Sequence, residues 1–273
     1  MKVPVSYNNQ GGEFMLYIVK GKGPNLLGRN WLEHLTLDWK SLAASVNYVS
    51  PNKLGELLHE YADVLCDKLG TLNSTTAKLH VKPNSVPRFQ KARPVPFAIK
   101  DALEQEIDRL EAEGILQKVK HSEWAAPVVA VPKGNGQLRV CGDYKVTVNP
   151  VLIVEKYPLP KPEDLMANLA GGLRFSKLDL TQAYFQIVLD QESRKYVTIN
   201  THKGLYQYTR VPFGIASAPA LFQRTMDTIL QGIPNTICYL DDILVTGNST
   251  EVHLKNLTEV LKRLRQHGLR VRP

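Results

Sequence analysis

The stretch CYLDDILV, residues Cys238–Val245, carries two adjacent carboxylates, Asp241 and Asp242, at the centre of an otherwise apolar, strand-forming run. Burying two unpaired negative charges side by side costs several kcal/mol for each charge. A strand–turn–strand with LDD at its bend would instead bring both carboxylates to the sheet surface. A divalent cation is then the natural ligand, because Mg2+ binds through one or two carboxylates and keeps coordination sites for substrate phosphates.

A third acid, Asp179 in FSKLDLTQAYF, also interrupts an apolar strand-like run. By itself Asp179 would be a strand-end or capping aspartate, and LDD by itself a plain hairpin turn. Two metal ions about 3.5–4 Å apart can clamp the attacking and leaving oxygens of a phosphoryl displacement. The three acids together therefore favour a site for two Mg2+ ions.

Residues suited to a nucleoside triphosphate accompany these acids. Lys133 and Arg139 flank a Gly-Asn-Gly hairpin tip, where cations would fold over phosphates. Tyr184 would stack under a sugar, and Phe213 with Gly214 precedes a helix where small residues let a base or backbone approach. Each of these is weak evidence in isolation, because hairpin cations are usually solvated and lone aromatics usually belong to the core.

The composition is that of a soluble globular protein: 273 residues, 43% hydrophobic and 22% charged. The net charge of +8 favours polyanionic partners. No apolar run approaches the roughly 20 residues of a membrane helix, and the N-terminus lacks a signal-peptide core. We therefore expect an intracellular protein without a membrane partner, its location otherwise unknown. Three widely spaced cysteines indicate neither a disulfide framework nor a zinc site.

The chain divides into three segments. Residues 1–45 are β-rich, residues 46–96 combine a helix, NKLGELLHEYADVL, with an extended linker rich in Pro, Ser, Thr and Lys, and residues 97–273 carry the motifs. In the third segment, helices ending at Gly114 and Gly268 alternate irregularly with hairpins, and another helix begins at an N-cap Ser217. KPEDLMANLAGG predicts a further short helix. This pattern predicts an α+β fold rather than a doubly wound parallel sheet.

Three motifs in order carry a family resemblance. FSKLDLTQAYFQI, LYQYTRVPFGIASAPALFQRTMD and CYLDDILV resemble the palm motifs of reverse transcriptases from gypsy-class long-terminal-repeat retrotransposons and retroviruses, and the similarity extends from about Phe97 to Val271. The resemblance implies the fingers and palm of a right-hand polymerase. It also implies an RNA-directed DNA polymerase, a nucleotidyltransferase that belongs to a Pol polyprotein.

The resemblance assigns the metal site residue by residue. Asp179, Asp241 and Asp242 would form the catalytic triad, with Asp179 and Asp241 as the main metal ligands and the Leu180 carbonyl completing one shell. The cofactor would be two Mg2+ ions, with Mn2+ as a substitute. Tyr239 would lie beside the primer end.

The resemblance also implies the nucleotide contacts. Arg139 and Lys133 would contact the incoming dNTP, Tyr184 would be the steric gate against a 2′-hydroxyl, and Phe213 with Gly214 would line the nucleotide pocket. The partners would be an RNA or DNA template with its primer, and the remainder of the Pol polyprotein.

The N-terminal stretch GPNLLGRNWLEHLTLDW looks like the last strand and helix of a retropepsin-like aspartic protease, with Gly28–Asn30 matching its glycine-arginine turn. The Asp-Thr/Ser-Gly triplet of that family is absent from the sequence, so we expect a C-terminal protease remnant without protease activity.

At its other end the chain stops where the family continues into a thumb, a connection and ribonuclease H, so we expect a truncated polymerase. The alternative is a catalytically silent nucleic-acid-binding fragment of a degenerate retroelement. A third interpretation, an unrelated metal-dependent phosphohydrolase, rests on the acidic cluster alone.

Overall fold

The computed structural model describes residues 2–7, 10–15, 51–132, 138–154, 157–161, 165 and 167–272. The chain forms two compact units, Met1–Leu54 and Gly55–Pro273, which are described separately. In the first unit, strands β1 (Lys2–Tyr7) and β2 (Gln10–Met15) form an antiparallel hairpin. The protease-like turn predicted at Gly28–Asn30 lies outside the described residues.

The helices are α1 (Pro51–Glu60), α2 (Phe97–Ala112), α3 (Ala218–Leu230) and α4 (Thr250–Gln266). The further strands are β3 (Leu116–Val119), β4 (Ala126–Pro132), β5 (Leu138–Gly142), β6 (Arg174–Asp179), β7 (Thr198–Thr201), β8 (Gly204–Tyr208), β9 (Thr236–Tyr239) and β10 (Asp242–Gly247). None of the described helices is both long and apolar enough to cross a lipid bilayer.

Two sheets organise the second unit. The larger one has the strand order β3-β8-β7-β4-β5, in which β4 and β7 run parallel and the other neighbours are antiparallel. The smaller one has the order β6-β10-β9 and is antiparallel. Three of the six strand pairs in these sheets, β4–β5, β7–β8 and β9–β10, join consecutive strands through short connections. It is a mixed fold in which hairpins dominate, as the sequence predicts.

The hairpin predicted around the Gly-Asn-Gly tip corresponds to β4–β5, and the stretch RKYVTINTHKGLYQYTRVP contains a second hairpin, β7–β8. The tip itself, residues 133–137, lies outside the described residues, and Lys133 with it. Within the short helix predicted from KPEDLMANLAGG, residues 162–164 and 166 are not described, and residues 165, 167 and 168 are helical.

Two helix ends differ from the prediction. Helix α1 ends at Glu60 and is followed by turns, although its apolar spacing extends to Leu65. Ser217 occupies the N-cap position of α3, but its buried hydroxyl has no hydrogen-bond partner. The reason is its helical backbone, with φ −85° and ψ −10°; Ser249, with extended φ −144° and ψ 166°, does accept a hydrogen bond from the Val252 amide at the start of α4.

Helices α3 and α4 pack against the smaller sheet and bury one of its faces. Ile243 and Val245 of β10 are fully buried there, together with Leu261 and Leu264 of α4. The opposite pleat of the same sheet is more open, with Phe175 on β6 exposed over 59% of its surface. Because side chains alternate along a strand, the burial of one face decides which residues remain accessible on the other.

The segment between α1 and α2, residues 61–96, forms neither a helix nor a strand, and it packs onto the rest of the second unit through single β-bridges. These bridges join Ala77 to Leu189, Val81 to Leu152, and Phe89 to Ala125. Leu72, Ala77 and Leu79 are buried, so part of this Pro- and Ser-rich stretch contributes to the core.

Candidate active site

The hairpin β9–β10 presents the LDD acids at its bend. Tyr239 and Asp242 are register partners, so Leu240 and Asp241 form the two-residue turn between them. Leu240 has a positive φ of 54°, a left-handed conformation that costs a non-glycine residue about 1–2 kcal/mol. The turn therefore needs support from outside the hairpin, and the buried Gln223 supplies it by accepting a hydrogen bond from the Leu240 amide at 2.9 Å.

Strand β6 brings the third acid to the same bend. Asp179 is the register partner of Asp242, and directly opposed residues of antiparallel strands have β-carbons about 4.5–5.5 Å apart. One residue further on, the Leu180 amide donates a hydrogen bond to the Asp241 carbonyl at 2.9 Å. The strand pairing thus joins all three acids, although Asp179 is distant from LDD in the sequence.

Two cations that the sequence reasoning missed contact these carboxylates. Lys177 Nζ lies 2.8 Å from Asp242 Oδ2, and Arg272 Nη1 lies 3.7 Å from Asp179 Oδ2. The hydrogen bond to Asp242 raises the pKa of the Lys177 ammonium. The sequence signal for Lys177 was its position two residues before Asp179, which puts both side chains on one strand face.

A cavity of about 780 Å³ opens beside these acids, a size typical of ligand pockets. Asp179 and Asp241 line it together with Arg139, Tyr184 and Phe213, among the described residues.

The wall of the cavity is aromatic. The Tyr184 ring lies edge-on to Phe213 and Phe222, with centroid distances of 5.3 and 5.5 Å. The Arg139 guanidinium sits 4.5 Å from the Phe213 ring centroid, close enough for a cation–π interaction. Burial, with the nearby Asp241 charge, raises the pKa of the Tyr184 phenol, which therefore stays neutral. These contacts fix Tyr184, Phe213 and Arg139 relative to one another.

Gly214 shapes the turn that presents Phe213. Its φ is +94°, and an added Cβ would meet the Gly142 carbonyl oxygen at 3.1 Å, so a side chain is disfavoured on both counts. Asn149 holds the same turn, since its Nδ2 donates to the Gly214 carbonyl at 2.8 Å and its Oδ1 accepts from the Ala216 amide at 3.1 Å. Gly214 itself does not line the cavity.

Two fully buried glutamines also escaped the sequence reasoning. Gln223 on α3 donates to the Cys238 carbonyl at 2.8 Å, in addition to its bond with Leu240. Gln186 binds the backbone of Thr181 and Arg270 beside the strand that carries Asp179. A polar residue at an inward position of an apolar helix is a usable signal, because buried amides are almost always hydrogen-bonded.

The donor set fits a hard divalent cation. Asp179, Asp241 and Asp242 lie at the same end of the paired strands, next to Leu180, and Mg2+ prefers carboxylate oxygens such as theirs as ligands. Within the described residues, no three His, Cys, Asp or Glu side chains are already arranged as a metal-holding group. Two of these carboxylates, Asp242 and Asp179, are ion-paired with Lys177 and Arg272 respectively.

Comparison with known proteins identifies relatives of the chain. Residues 131–273 match the family described as reverse transcriptase (RNA-dependent DNA polymerase). The chain is 37% identical to the uncharacterized protein K02A2.6 of Caenorhabditis elegans over 98% of its own length. It is 33% identical to the retrovirus-related Pol polyprotein from transposon opus of Drosophila melanogaster over 80% of its length. The chain spans only 22% of either relative.

Solved structures share the fold. The foamy viral protease-reverse transcriptase dRH in complex with double-stranded DNA matches 99% of this chain and 50% of its own, with a TM-score of 0.75 and 22% identity. The foamy viral protease-reverse transcriptase in complex with an RNA/DNA hybrid matches 92% of this chain and 34% of its own, with a TM-score of 0.74 and 23% identity. At this identity, the likeness is one of fold.

Proposed function

Because the chain belongs to the reverse transcriptase (RNA-dependent DNA polymerase) family, we propose that residues 97–273 are the fingers and palm of an RNA-directed DNA polymerase. The domain would transfer a nucleotide from a dNTP to the 3′-hydroxyl of a primer paired with an RNA or DNA template. We assign it to the Pol polyprotein of a gypsy-class retrotransposon, with residues 1–45 as a protease remnant without protease activity and residues 46–96 as the connecting segment.

The observation that carries the proposal is the meeting of Asp179 and Asp242 as register partners beside Asp241, at a cavity of about 780 Å³. Asp179 and Asp241 would be the main metal ligands, with Asp242 and the Leu180 carbonyl completing the shells. When bound, two Mg2+ ions stabilise the charge that develops on the transferred phosphate and on the pyrophosphate leaving group. The polypeptide contributes the orientation of primer and nucleotide.

The cavity wall supports the nucleotide assignments. Arg139 would exchange its contact with the Phe213 ring for the triphosphate, because a charge-assisted bond to phosphate is stronger than a cation–π contact. Tyr184 is held between two aromatic rings and cannot easily yield, which suits a steric gate against a ribose 2′-hydroxyl. Lys133 would add a second cation from the hairpin tip, and Gly214 would hold Phe213 in place.

Template and primer would bind largely through their phosphates. The net charge of +8 supports this, and it predicts binding that weakens as the salt concentration rises. The complexes of the foamy viral proteins with RNA/DNA hybrid and with double-stranded DNA support the same class of partner. Tyr239, 38% exposed at the hairpin bend, would lie beside the primer end.

Primer extension tests the proposal. The chain is incubated with a primed RNA template, dNTPs and Mg2+, alongside the Asp241→Asn variant, which keeps the size of the side chain but removes its charge. We expect extension by the unmodified chain and a loss of at least about a hundredfold in the variant, since a metal ligand stabilises the transition state by several kcal/mol. Equal extension by both proteins would refute the assignment of Asp241.

A second candidate is a catalytically silent nucleic-acid-binding fragment. The ion pairs of Lys177 with Asp242 and of Arg272 with Asp179 favour it, because they occupy two of the three carboxylates. Salt-dependent binding of an RNA/DNA hybrid without any nucleotide addition, in Mg2+ and in Mn2+, would support this candidate over the polymerase.

A further inference from the structure

Gln186 is fully buried and uses both ends of its amide to bind backbone. Its Nε2 donates to the carbonyls of Thr181 and Arg270, each at 2.8 Å, and its Oε1 accepts from the Arg270 amide at 2.8 Å. Three backbone groups from two distant parts of the chain therefore depend on one side chain. A leucine of similar size would fill the same space without satisfying any of them.

These bonds reach the strand end that carries Asp179. The backbone of residues 270–272 runs beside residues 179–181, with the Thr181 amide donating to Arg270 at 3.3 Å and the Arg272 amide donating to the Asp179 carbonyl at 2.8 Å. Leu180 and Val271 form the antiparallel bridge between these two bonds. Gln186 closes this short ladder at the Thr181 end. The same ladder carries Arg272, whose guanidinium pairs with the Asp179 carboxylate.

A third stretch of chain, ahead of α2, braces the ladder from its other side. The Cys66 amide donates to the Val271 carbonyl at 3.1 Å, and the Val271 amide donates to the Val64 carbonyl at 3.0 Å. The Leu72 amide donates to the Gln186 carbonyl at 2.7 Å. This stretch lies outside residues 131–273, which match the family, yet it contacts the segment next to the candidate metal site.

Gly70 is the point where this third stretch meets the Gln186 amide. A Cβ at position 70 would lie 2.2 Å from Gln186 Oε1, 2.8 Å from the Gly268 carbonyl and 2.9 Å from the Arg270 amide. Two of these three neighbours are backbone atoms, which cannot move aside without distorting the chain around them. Any side chain at Gly70 would therefore disturb the same bonds that Gln186 makes.

We propose that Gln186 is a positioning residue: through Thr181, Arg270 and the close approach of Gly70, it fixes the backbone of Asp179–Thr181 and thereby the geometry of the divalent-cation site. The inference rests on the proposed function for the identity of that site. It adds that the segment around Gly70 helps to position the backbone of the polymerase palm. Gln186 touches neither substrate nor metal in this proposal.

The test uses the whole chain and two pairs of variants. Gln186→Leu removes the amide, and Gln117→Leu makes the same change at an exposed position of β3. Gly70→Ala crowds the amide, and Gly55→Ala adds the same methyl group where nothing lies within 4 Å. Gln186→Glu, which keeps an oxygen for the Arg270 amide, serves as the conservative variant. The readouts are amide hydrogen exchange across residues 178–182 and 268–272, and Mn2+ affinity measured by electron paramagnetic resonance.

We expect Gln186→Leu and Gly70→Ala to speed exchange at the Leu180, Thr181 and Arg270 amides by at least about tenfold, since two or more backbone hydrogen bonds are lost or strained. Mn2+ affinity should fall by a similar factor. Gln186→Glu should be affected at least as strongly as Gln186→Leu, because its buried carboxylate cannot donate and faces the carbonyl oxygens of Thr181 and Arg270. The two controls should match the unmodified chain. If Gln186→Leu is too unstable to study, Gly70→Ala carries the test with the same expectation.

Unchanged exchange at these amides would overturn the proposal. So would an equal rise in exchange throughout the second unit, since that would make Gln186 an ordinary core residue. Should the unmodified chain bind no Mn2+, the metal site of the proposed function would fail, and the exchange data alone would still decide whether Gln186 fixes the Asp179–Thr181 backbone.

Discussion

Replacing Gln223 by leucine should loosen the turn that carries Asp241. The substitution removes the bonds from Gln223 to the Cys238 carbonyl at 2.8 Å, from the Leu240 amide at 2.9 Å, and to Asp227 Oδ1 at 2.9 Å. Leucine nearly matches the volume, so little cavity results. The cost comes from leaving the buried Cys238 carbonyl and the half-buried Leu240 amide without partners, about 1–3 kcal/mol for each fully buried group and less for an accessible one.

We therefore expect the free energy of unfolding to fall by about 2–3 kcal/mol, out of the 5–15 kcal/mol typical of a domain. The loss should be concentrated at the turn, because Leu240 holds a positive φ of 54° that Gln223 helps to maintain. Urea unfolding measures the first effect, and hydrogen exchange of the Leu240 amide measures the second.

Thr228→Val is the matched control for Gln223→Leu. Thr228 lies on the exposed face of the same helix, and its hydroxyl donates to the Arg224 carbonyl within the helix at 2.8 Å. Losing this hydroxyl should lower the free energy of unfolding by no more than about 0.5 kcal/mol. The reasoning is refuted if Gln223→Leu unfolds within about 0.5 kcal/mol of the unmodified chain and the Leu240 amide exchanges at its original rate.

Two further predictions concern charges around the same sheet. Lys177→Met should raise Mn2+ affinity about two- to fivefold, because a weak, exposed ion pair no longer competes for Asp242; weaker binding, measured by electron paramagnetic resonance, would contradict this. Burial, aided by Arg174, lowers the pKa of His253, so the unfolded chain takes up the proton more readily and stability should fall as the pH drops below about 6.5. Melting temperatures at several pH values should show that fall, and His253→Gln should reduce it; an unchanged pH slope in the variant would disprove the role of His253.

Local patterns in the sequence predicted the elements that position the site. The hairpin from Thr236 to Gly247 follows from apolar strands on either side of two acids, and the end of helix α4 follows from Gly268. The sequence also pointed to Asp179 as the distant acid, and the structure sets it opposite Asp242. Both predictions rest on carboxylates within apolar strands, where charged side chains are rare.

The sequence could not predict which hydrogen bonds and ion pairs these groups make in the folded chain. The capping hydrogen bond expected from Ser217 at the start of α3 does not form. Backbone angles decide whether a serine hydroxyl can reach an amide, and the residue type does not dictate those angles. Arg272 could not be linked to Asp179 from sequence, because its approach depends on a ladder formed by residues about ninety positions apart. Tertiary pairing of this kind leaves no periodic trace.

The two buried glutamines hold the backbone on either side of the acids. Gln223 holds the turn before Asp241, and Gln186 holds the backbone after Asp179, so each half of the site is fixed by hydrogen bonds that do not involve the carboxylates themselves. Their amides carry no charge, and their support therefore should not change when Lys177 or Arg272 releases its carboxylate. If the acids bind metal as proposed, the backbone geometry should be kept while the ion pairs are replaced by metal, because the glutamines that set position are separate from the carboxylates that would bind.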